Sequence, residues 1–597
     1  MLLDILQATH SFVETHPYQT YVIVTGALLF YYLVFLPVLS PLWKVPGPYL
    51  HRISRIPSLH YQRTHSWGER VYNLHKQYGN IVILSPNEIS VNGSDKFVND
   101  IYLRNFPKSR FYANYTNHGD KDNIFATLTN DKHLKYKKMI IKLYSKSNVM
   151  AREGPLRRII TKTTQRLIDV VRKSSVTGEA PDLLSIRPEF NPHAKGFTSP
   201  NWFNKLKRKQ NLGIEVYTLF GCVAMDVVSR FELGEENGLD LLLHPEERSI
   251  VAKHRQVAGM GFWTTLMPQF WEIAASKLVM SALKDITQFQ LSLYADAEAR
   301  LEKEEDQPEM NENKRDNQQG KEFEELKERR ERKRSNPTTL EALKKHGFFG
   351  NEAYSFLTDN LFAGHETTAT MLCYFTYELS RPAHLHIQSR LKEELVNTFG
   401  KPKGPTDIIE DLEKVDSLPF LDAVFTEITR VHASIPGAEP RVVDKKPYMV
   451  DDISIPPGTI ISCLPFALHR ETSVFFDPNK FLPERWLPHY GELESEFKTR
   501  IRQQHKFMMP FGKGIRMCLG MNVAVIEMKM VIANLYWHFA SRIDSDWCEE
   551  ILQDDEPIKL GKRHKGENKT DQEMMCMNDY YTITPVNEEC WLRWFEQ

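Results

Sequence analysis

Residues 511–520 read Phe-Gly-Lys-Gly-Ile-Arg-Met-Cys-Leu-Gly, which sets one cysteine, Cys518, between glycines with Arg516 two positions before it. Glycine lets the backbone turn sharply and approach a flat ligand closely. A cysteine is a thiolate at neutral pH only beside positive charge and amide donors. A thiolate held in that way can serve as an axial ligand to haem iron. A buried structural cysteine beside a glycine turn has the same local spelling, so the loop alone leaves both readings open.

Three more segments carry polar groups where burial is expected. Ala363-Gly364-His365-Glu366-Thr367-Thr368 lies in the otherwise apolar helical run Asn360–Tyr374. A carboxylate and a hydroxyl there are costly to bury without partners. In Glu427-Ile428-Thr429-Arg430 the two charges are three apart and share a helix face. Pro483-Glu484-Arg485-Trp486 adds another arginine. With the FxxGxRxCxG loop, these four segments in this order resemble the cytochrome P-450 haem-thiolate monooxygenases, in the style of fungal microsomal members. The resemblance covers residues 45–597.

It implies a mainly α fold with small β-sheets (α+β), the cytochrome P-450 fold, preceded by one N-terminal transmembrane helix. It implies haem b, with Cys518 as the axial thiolate and Phe511 packed beside it. Gly514 would allow the tight turn and Gly520 the close approach of the next helix. Arg516 and Arg441 match the family's propionate arginines. His133 and Lys137, four apart on one helix face, stand where the family usually has an aromatic residue and an arginine; both are substituted here. Thr367 would steady the iron-bound hydroperoxide, Glu366 would relay protons from solvent, and Ala363-Gly364 would leave room for oxygen. Glu427, Arg430 and Arg485 would form a buried structural cluster behind the haem loop. Phe111, Phe125, Phe362, Ala363, Ile435 and Ala438 would line the substrate pocket, and the aromatic loop residues favour a lipophilic or aromatic substrate.

The implied reaction inserts one atom of O2 into that substrate. NADPH would supply electrons through a flavoprotein reductase, with cytochrome b5 as an optional second donor. A same-fold isomerase or dehydratase needs no external electrons, and a non-catalytic haem carrier needs no Glu366-Thr367 pair; the intact pair argues against both.

The elements that must position these residues start at a membrane. Tyr21–Trp43 contains no charged residue, and about 20 apolar residues span a bilayer. Lys44, Arg52 and Arg55 follow it, which places the remainder in the cytosol. A cleaved signal peptide would need a basic leader and a small-residue cleavage site, and neither is present. We therefore expect a luminal N-terminus at 1–19, a signal-anchor helix at 20–43, a proline-rich hinge at 44–55 and one catalytic domain at 56–597, single-pass in the endoplasmic reticulum membrane. Polar insertions are expected near 185–211, 302–335 and 554–573. The formal net charge of -1 gives no sign of a nucleic-acid partner, and none is expected. The 7 cysteines include no CxxC pair, so a reducing compartment is expected.

The alternation at 80–91 predicts a β-hairpin. Helices are expected over 131–146, 212–233, 279–303 and 519–539. Lys132, Lys135, Lys137, Lys138, Lys142 and Lys146 crowd one of these. With Lys513 and Arg516 they form a basic face suited to an acidic redox partner.

Overall fold

The computed structural model describes residues 15–179, 213–305, 337–561 and 569–597. Helices dominate, with small sheets at the margins. The helix α1, Pro17–Leu39, has a mean hydropathy of 2.4 and is long and apolar enough to cross a membrane. Proline opens it where no N–H is needed. It stops at Ser40, which is extended because Pro41 follows. The helix thus starts before residue 20 and ends short of Trp43.

The hinge is non-helical at 44–48, as expected, yet it is not loose. Pro46 accepts a hydrogen bond from Ile83 N at 2.9 Å, and Val45 is fully buried. At Gly47, φ +141°, an added Cβ would lie 2.8 Å from Ile83. The segment is docked on the first sheet, and a short helix, Tyr49–Ile53, follows within the expected hinge.

That sheet contains the predicted hairpin, β1 (Ile81–Ser85) and β2 (Glu88–Val91). A short strand β3, Ile214–Glu215, belongs to a second sheet. The first sheet continues with β4 (Arg441–Val442) and β5 (Ile460–Ser462), in the order β1-β2-β5-β4, with β2 and β5 parallel. The second sheet adds β6, Phe539–Ile543. A separate hairpin joins β7 (Met577–Tyr580) to β8 (Thr582–Pro585). The last strand, β9 (Trp591–Glu596), lies between β3 and β6.

The basic stretch at 131–146 is not one helix. The helix α2 runs Asn130–Ile140, and Ser145 caps a new short helix by accepting from Asn148 N. The next long helix, α3, is Pro155–Val171. The run at 212–233 yields α4, Val216–Leu233, buried nearly all round. It is followed by α5, Ser249–Ala258, and by α6, Lys277–Glu305. The central helix α7 spans Asn351–Ser380 and packs along α4. Gly364 serves that contact: a Cβ there would meet Val228 at 2.8 Å. Glu427 and Arg430 lie on α8, Pro419–Val431. The helix after the cysteine loop, α9, is Met521–His538.

The expected insertion at 185–211 and nearly all of that at 302–335 lie outside the described residues, as do 562–568. The described flanks of the third, 554–573, are tied down. Arg381 donates to the carbonyls of Asp554 and Glu556 at 3.2 and 2.8 Å. Asp571 is fully buried and accepts from Tyr377 at 2.7 Å. Polar composition there reflects internal bonding.

Candidate active site

The Cys518 loop folds back on itself, with Cys518 N donating to Phe511 O at 2.9 Å. Gly514 is required: its φ is +74°, and a Cβ would lie 2.1 Å from the Tyr102 carbonyl. Gly520 is the N-cap of α9, and a Cβ there would meet no protein atom within 4 Å among the described residues. Cys518 is the exposed cysteine of the seven. Desolvation by the surrounding protein pushes its thiol up, while the amides of Gly520 and Met521 and the charge of Lys137 pull it down.

The predicted arginine cluster braces this loop. Glu427 accepts from Arg430 at 2.7 and 2.8 Å, from Arg485 at 3.2 Å and from Trp486 Nε1 at 2.8 Å. All four residues are buried. Burial works against the Glu427 charge, but the two arginines outweigh it and hold the carboxyl below its ordinary value. The link to the loop is His469, which sequence reasoning missed. Its Nδ1 donates to Arg430 O at 3.1 Å, and its Nε2 accepts from Met509 N at 3.0 Å. Burial, with Arg470 and Arg430 nearby, keeps His469 neutral, with a pKa of about 3. A single histidine in a loop gave no sequence signal for this bridge.

A second group of cations gathers at the other end of the loop. Arg516 donates to the carbonyls of Thr127 and Leu128 at 2.8 and 2.9 Å, tying the loop to the start of α2. Arg441 contacts Tyr112 and Glu439 at 3.2 Å each. His133 is buried, and its Nδ1 has no hydrogen-bond partner among the described residues. Burial, then Arg516, Lys137, Lys108 and Arg441, push its pKa down to about 3. Those same interactions place all four cations around it. Lys108 is the missed member: buried, and bonded to Phe125 O at 2.6 Å. Lys137 points elsewhere, donating to Ile515 O at 2.8 Å and acting on Cys518. Two buried cations, Lys108 and Arg441, and two half-buried ones, Lys137 and Arg516, beside the buried His133 ring fit the two propionates of a haem.

On α7, Ala363 is exposed and Thr367 half-buried, although most of the surrounding helix is buried. The Thr367 hydroxyl donates to Ala363 O at 2.7 Å. Ser434 Oγ sits 3.5 Å from Thr367 O, and its own carbonyl accepts from Ile583 N at 2.9 Å. Thus the 434–438 loop, with half-buried Ile435 and Ala438, and the β7–β8 hairpin both adjoin the Thr367 turn. Phe362 is half-buried and faces His254 of α5, ring centroids 6.5 Å apart. Glu366 is buried on another side of the helix, accepting from Tyr217 OH at 2.5 Å.

Phe111 and Phe125 join an aromatic wall with Tyr112, Tyr115 and Tyr581. Tyr581, also missed, occupies the β7–β8 turn at φ +86°. Its rings meet Phe111 and Tyr115 with centroids 5.6 and 5.9 Å apart. A bulky residue at positive φ is costly and is held only by strong surroundings.

Comparison with known proteins agrees with this geometry. A family model described as Cytochrome P450 matches residues 200–565. The chain is 25% identical over 521 residues to "Cytochrome P450 monooxygenase hkm5" of Aspergillus hancockii, covering 86% of each chain. It is 24% identical over 550 residues to "Cytochrome P450 monooxygenase lcsI" of Purpureocillium lilacinum, covering 88% of this chain and 89% of that one. Over a shorter stretch of 189 residues it is 34% identical to "Cytochrome P450 monooxygenase astJ" of Aspergillus oryzae, covering 31% of this chain and 35% of that one.

Proposed function

The chain belongs to the cytochrome P450 family, and from that premise we propose that it is a haem-thiolate monooxygenase. It inserts one atom of O2 into a lipophilic or aromatic organic substrate, and the other atom leaves as water. One observation carries this reading: among the seven cysteines only Cys518 is exposed, in a loop braced at one end by an arginine knot and surrounded at the other by unbalanced cations.

When bound, haem b supplies reductive O2 activation, strengthened by thiolate donation. The side chains do the rest. Cys518 ligates the iron, with Phe511, Gly514 and Gly520 shaping that side. Arg441, Arg516, His133 and Lys108 hold the propionates. Lys137 sits nearer the sulfur and favours its anionic form. Thr367 presents a hydroxyl on the open face of α7, and Glu366 supplies it with protons. The wall of Phe111, Tyr115, Phe125 and Tyr581, with Ala363, Ile435 and Ala438, selects apolar substrates and keeps bulk water away.

Electrons come from NADPH through a flavoprotein reductase, with cytochrome b5 as a second donor. The helix α1 anchors the protein in the endoplasmic reticulum membrane, with residues 44 onward in the cytosol. The test is reconstitution with a reductase, NADPH and a lipophilic library. We expect NADPH oxidation that rises with a true substrate, and a product carrying one atom from isotopically labelled O2. Product formation without NADPH would make the enzyme an isomerase or dehydratase.

A further inference from the structure

Glu366 lies about 100° round α7 from Thr367, and its carboxylate faces α4 and α5. While Oε1 accepts from Tyr217 OH, Oε2 is 3.6 Å from His365 Nε2 and 4.0 Å from Arg255 Nε, both too long for direct hydrogen bonds. His365 Nδ1 is 2.9 Å from Leu361 O. A carbonyl only accepts, so Nδ1 carries the proton. In the neutral ring Nε2 is then a bare acceptor facing another acceptor. The contact becomes favourable only with a proton on one of the two groups.

His254, on α5, stacks edge-on against His365 with ring centroids 5.0 Å apart. The Nε2 atoms of both histidines and Arg255 Nε are buried without hydrogen-bond partners among the described residues. Two of these atoms, His365 Nε2 and Arg255 Nε, flank one carboxylate oxygen, and the His254 ring lies against His365; such atoms are costly unless they share a partner. A buried water needs two to four polar neighbours, and this spot offers them. The other polar groups are committed. Arg255 donates to Thr218 Oγ1 and Tyr217 O at 3.1 and 2.9 Å, Glu215 accepts from the amides of Tyr217 and Thr218 at 2.8 Å, and Thr370 donates to Ile583 O at 3.2 Å. Glu588 adds negative charge near Arg255. Burial holds both imidazoles below their ordinary pKa, so neither keeps a permanent charge.

We propose that His365 and His254, joined by one buried water, pass protons to Glu366 from the α5 side of the helix. This rests on the monooxygenase reading. When Glu366 has given up its proton toward Thr367, a proton from bulk, handed on at His254 through the water, protonates the neutral His365 at Nε2. The transient imidazolium passes it to the carboxylate and returns to the neutral Nδ1–H form. Tyr217 and Arg255 position the carboxylate between these transfers.

The test compares the haem-loaded wild type with His365→Phe and His254→Phe. Glu366 is read directly by the infrared band of a protonated carboxyl, assigned by its loss in Glu366→Gln. We expect the titration of that band to move in His365→Phe. Coupling of NADPH to product should fall several-fold with a larger solvent isotope effect, while haem content and the substrate-induced spectral shift stay unchanged. If either Phe variant does not fold, His365→Gln and His254→Gln keep polarity without ferrying a proton, and the same results are expected. An unmoved carboxyl band, or lost coupling without any change in it, overturns the relay. Absence of NADPH turnover in the wild type would instead refute the monooxygenase reading, and the infrared titration would still decide the relay.

Discussion

Two groups of buried and half-buried cations flank the Cys518 loop, one through His469 and one directly, and they are built differently. Around Glu427, all five Arg430 N–H groups and each Arg485 nitrogen find an oxygen of the chain: Arg430 also donates to the carbonyls of His469, Pro478 and Lys480, and Arg485 to those of Phe476 and Asp477. Around His133, the basic residues Lys108, Lys137, Arg441 and Arg516 outnumber the nearby carboxylates Glu439, Asp359 and Asp122, and burial, then Arg441 and Arg516, hold Lys108 well below its ordinary pKa. Burial also pushes the Asp359 carboxyl up to about 7, against the pull of Lys108. The first group is complete without a ligand and supports shape. The second finds oxygens of the chain but few carboxylates, and an excess of cations is what the propionates of a haem would balance.

Breaking the closed knot should have the largest effect. Glu427→Ala leaves Arg430 and Arg485 buried and unpaired, which costs about 3–5 kcal/mol. Denaturant unfolding of the apoprotein checks this, and wild-type stability in the variant would contradict it.

A second closed knot sharpens the contrast through pH. Glu378 sits 3.0 Å from both Arg381 Nη1 and His384 Nδ1 and 2.7 Å from His432 Nε2, and Asp555 is 2.7 Å from His384 Nε2. Burial opposes the His384 charge, but Asp555 and Glu378 outweigh it and raise its pKa from 6.5 to about 9. Folded His384 holds its proton more tightly than unfolded. Its contribution is therefore full below pH 6.5 and is lost as pH rises through about 9. The loss is on the order of 3 kcal/mol. Unfolding free energy measured across that window should fall in the wild type and fall less in His384→Gln.

The open cluster should behave in reverse. Arg516→Gln and Lys108→Met should weaken haem binding to the apoprotein by about tenfold to a hundredfold, the worth of a charge-assisted hydrogen bond of about 1.5–3 kcal/mol. The unfolding midpoint of the apoprotein should stay level or rise, because buried like charges are relieved. A fall as large as that of Glu427→Ala would erase the distinction.

The motif residues were legible because their constraints are local. A three-residue spacing puts Glu427 and Arg430 on one face, and Gly514 is demanded by its own backbone. Lys108, His469, Tyr217, Arg255 and Tyr581 each come from an element distant in sequence and act singly, so no spacing marks them. One signal was present: Asp226, Arg230 and Glu232 interrupt the apolar run of α4, and all three are buried. Such charges announce a polar network on that helix. Ser145 likewise marked the break that splits the basic stretch at 131–146.

The smallest expected effect lies on the surface. Lys132 pairs with Asp122 at 2.6 Å and Lys146 with Asp416 at 2.7 Å, whereas Lys135, Lys138 and Lys142 are exposed without ion pairs among the described residues. Changing these three to Glu should slow the first electron transfer from the reductase at low salt, with substrate binding unaltered. The difference should shrink at high salt as charges are screened. Equal rates at low salt would place the docking face elsewhere.

The central claim is that Cys518 binds haem iron as a thiolate in the space that the two cation groups frame. The most direct measurement is the carbon monoxide difference spectrum of the reduced protein, wild type against Cys518→Ser. A thiolate-type band in the wild type, lost in the variant because a hydroxyl is a poor soft donor, is the predicted result. The same band in both proteins would contradict it.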